Sequence, residues 1–252
     1  MIDFHSHILP DMDDGATSVE MSLQMLKDAY MDGIETVVST SHAYLESEED
    51  LDDFLNKRQL AYETLCDAMK QDGGKFPEIK LGAEVRVLKN ISELKRLKEL
   101  AIEGTNYILL EMPYGEWTED IVEEVYNVKI TGLVPIMAHI ERFLRYRDEF
   151  FGGLKFMGAL FQVNADAFTH SLDRTVLLNM FYRKQIDILG SDMHNLDVRK
   201  NNMKECQRII QKRFGQEFWS LLEANSKDVI AGKETGPYPQ LPKLGFFAKL
   251  RL

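Results

Sequence analysis

The N-terminal segment of the sequence is unusually rich in side chains that bind metal ions. Residues 3–15, DFHSHILPDMDDG, hold two histidines and four aspartates, and further histidines and carboxylates follow later apolar segments. Buried carboxylates without a cation are energetically costly, whereas imidazole and carboxylate together bind divalent ions. The sequence therefore predicts a metal centre. Its candidate ligands are His5, His7, Asp14, His42, Glu84, Glu111, His139, Asp192 and His194.

The donor types limit the metal and the substrate. Imidazole and carboxylate without thiolate suit Zn²⁺, Mn²⁺ or Fe²⁺. Nine candidate ligands are too many for one ion, so we expect two or three ions close together, with Glu84 as a bridge. The charge of three such ions would exceed that of the four carboxylates and would attract an anionic substrate. The remaining histidine, His170, precedes a predicted helix and is interpreted as a surface or capping residue.

Two arginines follow candidate ligands closely. Arg142 lies three residues after His139, and Arg199 lies five residues after His194. A guanidinium group offers forked donors that match the oxygens of a phosphate. A single arginine more commonly forms a surface ion pair. Because both arginines neighbour the predicted metal centre, we predict that they bind the phosphate of the substrate.

Seven short apolar segments separate the candidate ligands. They begin near residues 1, 35, 79, 107, 133, 160 and 186 and are rich in Ile, Val and Leu, which is typical of parallel strands buried on both faces. The candidate ligands fall at or just after the ends of these strands, where a parallel barrel assembles its active site. The sequence predicts a closed or nearly closed parallel α/β barrel, with an open doubly wound sheet as the alternative.

Helix signals lie between these strands. The sequence TSVE has the Thr-x-x-Glu form of a capping box, which predicts a helix that begins at Thr17 and ends at Gly33. Further helices are predicted to begin at Ser47, Ser92, Thr118 and Ser171.

Length and charge bound the class of protein. A chain of 252 residues can form one large α/β domain, so we predict a single domain over 1–252, with 236–252 as a C-terminal tail on or near the barrel. The net charge of -11 disfavours nucleic acid as a partner.

We find neither an apolar segment long enough to span a bilayer nor a signal peptide, which predicts a cytoplasmic protein without membrane insertion. The oligomeric state stays open.

The cysteines do not suggest a catalytic thiol. Cys66 and Cys206 lie in helix-like segments, and we expect both to be buried free thiols. A cysteine-dependent tyrosine phosphatase needs the sequence Cys-x5-Arg, but the sixth residues after these cysteines are Asp72 and Lys212. The sequence therefore excludes that mechanism.

Several short motifs together resemble the PHP (polymerase and histidinol phosphatase) superfamily, and most closely its CpsB-like bacterial tyrosine-protein phosphatases. These motifs are HSH with DDG, SH after the second strand, AEV, EMP, AHIER and SDMH, and they occur in order from His5 to Arg199. Ser41 and Ile140 depart from the family pattern, because each stands where a proline is usual beside a predicted ligand. Such replacements change the stiffness of the backbone.

The resemblance implies a distorted seven-stranded (β/α) barrel of the PHP type, similar to a TIM barrel, with a trinuclear metal centre in which Mn²⁺ is expected ahead of Fe²⁺ or Zn²⁺. It implies removal of phosphate from tyrosines of a bacterial tyrosine kinase that controls capsule or exopolysaccharide synthesis. Arg142 and Arg199 would hold the phosphate. Independently of the resemblance, the phenol is a poor leaving group that needs a proton, and we predict that His42 or His194 supplies it where that histidine is not fully engaged as a ligand. One metal would bind His5, His7, Glu84 and Asp192, a second Glu84, Glu111 and His139, and a third Asp14, His42 and His194.

Other functions fit the same motifs. Histidinol phosphate or another small phosphomonoester is the main alternative substrate, since an enclosed site would favour a metabolite and a shallow site a phosphotyrosine on a protein. A non-catalytic metal-binding module is a third hypothesis, against which the complete set of predicted ligands argues. Activity on an aryl phosphate would separate an enzyme from such a module.

Overall fold

The computed structural model describes residues 1–115, 117–169, 171–183 and 185–234. Strands and helices alternate along these residues, as a parallel α/β fold requires. The strands are β1 (Ile2–Ser6), β2 (Thr36–Ser39), β3 (His42–Ala43), β4 (Glu78–Leu81), β5 (Glu84–Arg86), β6 (Tyr107–Glu111), β7 (Val134–Met137), β8 (Leu160–Asn164) and β9 (Ile188–Gly190). The α-helices are α1 (Val19–Met31), α2 (Glu48–Asp72), α3 (Glu119–Ile130), α4 (Gly152–Phe156), α5 (Ser171–Tyr182), α6 (Met203–Phe214) and α7 (Gln216–Ile230).

The described strands form one curled parallel wall. Their order is β1-β2-β4 in one sheet and β3-β5-β6-β7-β8-β9 in the other, and the chain runs directly from β2 into β3 and from β4 into β5. At the far edge, Asp192 N donates to His5 O at 2.8 Å and His7 N donates to Met193 O at 3.0 Å, which brings the end of β9 beside β1. The predicted barrel class is therefore confirmed, although the third predicted strand is divided into β4 and β5, and a further short strand, β3, follows the second.

The division between β4 and β5 has a local cause. A Cβ added at Gly82 would lie 3.3 Å from Val38 Cγ1, so the chain passes close to its neighbour at this point. Arg58 of α2 is buried and donates to Gly82 O at 2.8 Å and to Glu99 O at 3.0 Å. Because the bond to Gly82 O satisfies a carbonyl group in the break, the strand can end at Leu81 and resume at Glu84.

Two predicted helix starts compare differently with the structure. Ser47 precedes α2 as predicted, and its hydroxyl oxygen accepts from Asp50 N at 3.2 Å. The N-terminal cap of helix α1 lies one residue later than predicted. Its cap is Ser18, which has extended backbone angles and accepts from Met21 N at 3.2 Å, rather than Thr17.

The helix predicted from Ser92 is wrong. The structure has short 3₁₀ helices there instead, Ile91–Glu93 and Leu97–Leu100. The backbone enters this segment with Asn90 at φ 68° and is extended at Leu94, so a continuous α-helix cannot form. The leucines of the segment recur every third residue, which matches the three residues per turn of a 3₁₀ helix.

An apolar cluster fills the barrel below the polar ends of the strands. Helix α7 contributes Val229 to this cluster and thereby covers the amino-terminal end of the barrel. Burying one such side chain stabilises the fold by about 1.5–3 kcal/mol. Strand side chains of the cluster include Ile2, Phe4, Val38, Leu109, Ile136 and Ile188.

The two thiols differ in exposure. Cys206 is buried as predicted, and burial raises the pKa of its thiol well above the usual value. Cys66 is only partly buried, contrary to the prediction, because the neighbouring Leu65 takes the core-facing side of α2. Neither sulfur is in a disulfide.

Several other predictions concern the outer parts of the chain. No helix within the described ranges is both long and apolar enough to cross a membrane. The predicted tail 236–252 and His170 lie outside the described residues. The single domain over 1–252 stays a prediction.

Gly190→Ala is expected to destabilise the protein by about 1–3 kcal/mol, because the new methyl group has no room. An added Cβ would lie 2.5 Å from His5 Cβ and 2.8 Å from Gln162 Nε2. Urea unfolding in the presence of a chelator measures the effect without a contribution from bound metal. Gly152→Ala is the control, since no described atom lies within 4 Å of its added Cβ. Equal midpoints for the two variants would contradict the packing described for β9.

Candidate metal centre

The structure brings all nine predicted ligands together at the carboxyl ends of the strands. Each has a ligand nitrogen or oxygen within 3.8 Å of one from another member of the set. A cavity of about 310 Å³ opens over the group. Most members are almost completely buried, while His42 is partly exposed and Asp14 is exposed.

The deepest group surrounds the end of β1. His5 and His7 are two residues apart, so an extended backbone directs both side chains to one face. Their Nε2 atoms lie 3.2 Å from each other. Glu84 Oε2 is 3.2 Å and 3.4 Å from these two atoms, and Asp192 Oδ1 is 3.5 Å and 3.4 Å from them. Two imidazoles and two carboxylates therefore converge on one point, as the ligands of a cation do.

Glu84 also links this group to two others. Its Oε1 lies 2.7 Å from His139 Nε2, which is 3.8 Å from Glu111 Oε1. Its Oε2 lies 2.9 Å from His42 Nδ1. A carboxylate with both oxygens directed at separate groups can bridge metal ions.

The outer group includes the exposed ligand. Asp14 Oδ1 lies 3.3 Å from His42 Nε2 and 3.3 Å from His194 Nε2. Ligand atoms of these three residues and of His7 all lie within 4.8 Å of one another. This is a third place where a divalent ion can bind.

Two of the ligands have a backbone that side chains with a Cβ rarely adopt. His139 has φ 31° and Asp192 has φ 54°. Each lies two residues after the end of a strand, β7 and β9 respectively, and the left-handed turn directs its side chain toward the centre. Such backbone conformations cost about 1–3 kcal/mol each and are concentrated at functional sites.

Several ligand atoms are buried without a hydrogen bond to any described residue. They are His42 Nδ1, Glu84 Oε2, His139 Nδ1 and His194 Nε2. Three of these atoms point into the ligand cluster, at ion-pair distances but with poor hydrogen-bond geometry. Buried polar atoms normally have a hydrogen-bond partner. Imidazole nitrogens and a carboxylate oxygen without one are suited to bind divalent metal ions.

Burial and neighbouring charges shift the pKa values of the cluster in both directions. Burial raises the pKa of Glu84, but the charge of His5 and the hydrogen bond with His139 outweigh burial and hold that pKa well below the usual value. Burial opposes protonation of His7, yet hydrogen bonds to Asp13 and other carboxylates raise its pKa well above normal. Burial lowers the pKa of His194 to about 4. Without metal, protons on histidines such as His7 therefore offset the negative charge of the carboxylates. Metal ions that bind here would displace those protons.

Both predicted phosphate-binding arginines reach the rim of the cavity. Arg142 Nη2 lies 2.6 Å from Asp192 Oδ2, and Arg199 Nη2 lies 2.9 Å from Asp192 Oδ1. Arg199 Nη1 donates to Asp14 Oδ2 at 3.3 Å, and Arg142 Nη1 donates to Tyr114 Oη at 2.7 Å. Their side chains are 30% and 36% exposed, so both can meet an incoming anion.

The chain that carries these residues is similar to known proteins along most of its length. A family model described as capsular polysaccharide synthesis, CpsB/CapC, matches residues 1–231. The chain belongs to the CpsB/CapC family. The resemblance seen in the sequence motifs is therefore confirmed.

Individual relatives of this CpsB/CapC chain support the assignment. The tyrosine-protein phosphatase CpsB of Streptococcus agalactiae is 30% identical over 234 residues, which are 86% of this chain and 92% of the relative. The tyrosine-protein phosphatase YwqE of Bacillus subtilis is 27% identical over 256 residues, 96% of each chain. A crystal structure from work on YwqE and on CpsB of Streptococcus pneumoniae, described as metal-dependent tyrosine phosphatases, superposes with a TM-score of 0.82 at 25% identity and covers 97% of this chain and 100% of that one.

Asp13 is a functional residue of this CpsB/CapC chain that sequence reasoning missed. Its Oδ2 lies 2.7 Å from His7 Nδ1 and accepts from His42 N at 2.8 Å, and its Oδ1 accepts from Gly15 N at 3.0 Å. Contact with Nδ1 leaves Nε2 of His7 directed at the other ligands. The signal was present in the DDG motif, but the sequence does not tell which aspartate faces the metal.

Gln162 and Asn164 of β8 also support the centre. Gln162 Oε1 lies 3.2 Å from His5 Nδ1 and accepts from His139 N at 2.7 Å. Asn164 Nδ2 donates to Asp192 Oδ2 at 2.8 Å. They alternate with apolar residues in a buried strand, a pattern that marks inward-facing polar side chains only once the barrel is known.

The positions where the CpsB/CapC pattern has proline accept other residues here. Ile140 is buried and is the first residue of the 3₁₀ helix Ile140–Tyr146, a position that suits proline and isoleucine alike. Ser41 is buried between β2 and β3, and its carbonyl oxygen accepts from Glu84 N at 3.1 Å. Both neighbouring ligands keep their place in the cluster.

Asp13→Asn is expected to weaken Mn²⁺ binding about 10- to 100-fold, because residues that orient a metal-binding histidine have effects of this size. Asparagine keeps the shape of the side chain but offers one acceptor where the carboxylate offers two. Calorimetric titration of the metal-free protein with Mn²⁺ gives the affinity. Asp11→Asn, an exposed change in the same loop, is the control. An unchanged affinity in the Asp13 variant would show that this aspartate does not support the centre.

Proposed function

We propose that this chain is a metal-dependent protein-tyrosine phosphatase that acts on a bacterial tyrosine kinase controlling capsular or exopolysaccharide synthesis, and that it works in the cytoplasm. Membership of the CpsB/CapC family and the names of its relatives support the activity and the capsule context. The observation that carries the proposal is the ligand cluster with two arginines at its rim. Such a centre binds a phosphate and hydrolyses its ester.

We assign all nine clustered ligands to two or three divalent ions, with Mn²⁺ preferred and Fe²⁺ or Zn²⁺ as alternatives. Divalent ions bound there would lower the pKa of water toward about 7 and neutralise charge on the phosphoryl group. Glu84 would bridge ions, because its two oxygens contact different histidines. The buried ligands without hydrogen-bond partners support this assignment.

The protein side chains have three further tasks in the reaction. Arg142 and Arg199 bind the phosphoryl oxygens and stabilise the charge that develops on them. The leaving phenolate has a pKa of about 10 and needs a proton. We assign that proton to His42, which is partly exposed to the cavity, in the state with two ions bound, where this imidazole is not a metal ligand.

Arg142→Ala and Arg199→Ala are each expected to lower kcat/KM on a phosphotyrosyl peptide about 10- to 1,000-fold while the metal stays bound. Each change removes forked donors to the phosphate but no predicted metal ligand. Rates and metal content are measured on the same samples, and Arg183→Ala, an exposed change in the turn after α5, is the control. Near-normal kinetics in both arginine variants would mean that they are surface residues.

The shape of the site favours a protein substrate over histidinol phosphate. The cavity is lined at its mouth by side chains that remain accessible, including Asp14 at 62% and Arg199 at 36% exposure. A phosphotyrosine side chain on a polypeptide can enter such an open site, whereas an enclosed pocket would be expected for a small metabolite.

The proposed activity is tested by comparing kcat/KM for a phosphotyrosyl peptide and for histidinol phosphate with the metal-loaded protein. We expect a clear preference for the peptide. A preference for histidinol phosphate would replace the proposed substrate. Absence of turnover on both substrates and on an aryl phosphate would favour a non-catalytic metal-binding module.

A further inference from the structure

Two exposed tyrosines are among the described residues that line the cavity. Tyr44 is 56% exposed and Tyr114 is 54% exposed. Tyr44 stacks on His42 with ring centroids 5.4 Å apart and 17° between the planes. Tyr114 Oη accepts a hydrogen bond from Arg142 Nη1 at 2.7 Å. Each tyrosine therefore contacts a side chain that the proposed function places against the metal or the phosphate, Tyr44 through its ring and Tyr114 through its hydroxyl.

Arg86 connects both tyrosines to the centre. Its Cζ lies 5.9 Å from the ring centroid of Tyr44 and 5.6 Å from that of Tyr114. Its Nη1 donates to Glu111 Oε2 at 2.9 Å, which anchors the guanidinium to a predicted metal ligand. A cation over the face of an aromatic ring is attracted to that ring. Arg86 therefore holds both tyrosine rings at the mouth of the cavity.

We propose that Tyr44 and Tyr114 form an aromatic rim that binds the phenyl ring of the substrate and makes the site select aryl over alkyl phosphates. The proposal rests on the proposed function and adds its specificity determinant. When Arg142 and Arg199 bind the phosphoryl group, the rest of the substrate must extend out of the cavity, past the two tyrosine rings at its mouth. Aromatic rings attract one another in offset or edge-to-face contact, an attraction that an alkyl group does not share.

The two tyrosines divide the task. Tyr44 makes its described contacts through its ring, so it is expected to act only on the aryl part of a ligand. Tyr114 contributes a ring and also a hydroxyl that orients Arg142, so it couples recognition of the ring to recognition of the phosphate. Tyr44 therefore gives the cleaner test.

The test measures binding of phenylphosphonate and methylphosphonate to the metal-loaded protein by calorimetry. These ligands share a phosphonate group that is not hydrolysed and differ in the aryl ring. We expect Tyr44→Leu to weaken phenylphosphonate binding about 3- to 10-fold and to change methylphosphonate binding by less than about 2-fold. Tyr44→Phe keeps the ring and should retain the wild-type preference. Tyr126→Leu, a change at a half-exposed tyrosine of α3, should change neither affinity.

The other outcomes overturn the proposal. Equal weakening of both ligands in Tyr44→Leu would mean that the tyrosine only shapes the phosphate site. Unchanged binding of both would mean that the ring does not contact the ligand, and a wild-type protein without a preference for phenylphosphonate would exclude an aromatic rim. Failure of the proposed function is distinguishable, because it would appear as absent turnover of phosphotyrosyl peptide while the phenylphosphonate preference persists.

Discussion

Glu84→Gln is expected to lose bound metal and to lower kcat/KM on a phosphotyrosyl peptide by about 1,000-fold or more. Both oxygens of Glu84 contact predicted ligands, since Oε1 is 2.7 Å from His139 Nε2 and Oε2 is 2.9 Å from His42 Nδ1. Glutamine keeps the shape of the side chain but removes the negative charge and one of the two acceptor oxygens. Metal analysis and steady-state rates on the same preparation measure the two losses.

A matched change at the opposite end of the preceding strand controls for general effects of glutamine. Glu78 is exposed at the start of β4, one strand before Glu84 in the chain, and Glu78→Gln should keep both metal and rate. Circular dichroism establishes that both variants are folded. A folded Glu84→Gln protein with full metal content and normal activity would contradict the bridging role.

Activity is expected to disappear on chelation and to survive the loss of both cysteines. The described lining of the cavity includes neither Cys66 nor Cys206, and burial raises the pKa of the Cys206 thiol, which makes it a poor nucleophile. We expect a strong chelator to lower the rate more than about 100-fold and Mn²⁺ to restore it. The double variant Cys66→Ser/Cys206→Ala should keep its rate within about 3-fold, provided that it is folded.

A covalent intermediate would point to a different mechanism. Acid quenching during turnover of a radiolabelled phosphotyrosyl peptide should trap no phosphocysteine. A trapped phosphocysteine, or a folded and metal-loaded double variant without activity, would show that a thiol takes part in the chemistry.

The set of metal ligands could be predicted from sequence because of the topology of parallel strands. His42, Glu84 and Glu111 are far apart in the chain, but His42 and Glu84 follow the ends of β2 and β4, and Glu111 is the last residue of β6. Strand ends of a parallel barrel meet at one face whatever the detailed register is. The grouping in space therefore depends on strand order alone.

The supporting residues depend on finer geometry than strand order. Asp13 and Asp14 are adjacent aspartates with different positions. Asp13 contacts Nδ1 of His7, on the side of the ring away from the other ligands, whereas Asp14 lines the cavity. The bend of the loop, in which Gly15 N donates to Asp13, decides between them. Gln162 likewise becomes meaningful only when β8 is placed beside β9.

Local backbone structure was predictable where one signal dominated. At Ser47 the cap precedes an uninterrupted helical pattern, and the helix forms as predicted. At Ser92 a similar signal fails, because side chains from elsewhere bind the backbone: Glu124 accepts from Ser92 N at 2.8 Å, and Glu48 accepts from Lys95 N at 2.7 Å. Tertiary contacts of this kind override the local preference for an α-helix.

The most direct test of the central claim is a titration of the metal-free protein with Mn²⁺ in which bound metal and kcat/KM for a phosphotyrosyl peptide are measured at every step. We predict that activity is absent at the start, rises only as the clustered ligands fill, and reaches its plateau at two or three ions per chain. Full activity in the metal-free protein, or no activity once the plateau of bound metal is reached, would contradict a metal-dependent tyrosine phosphatase.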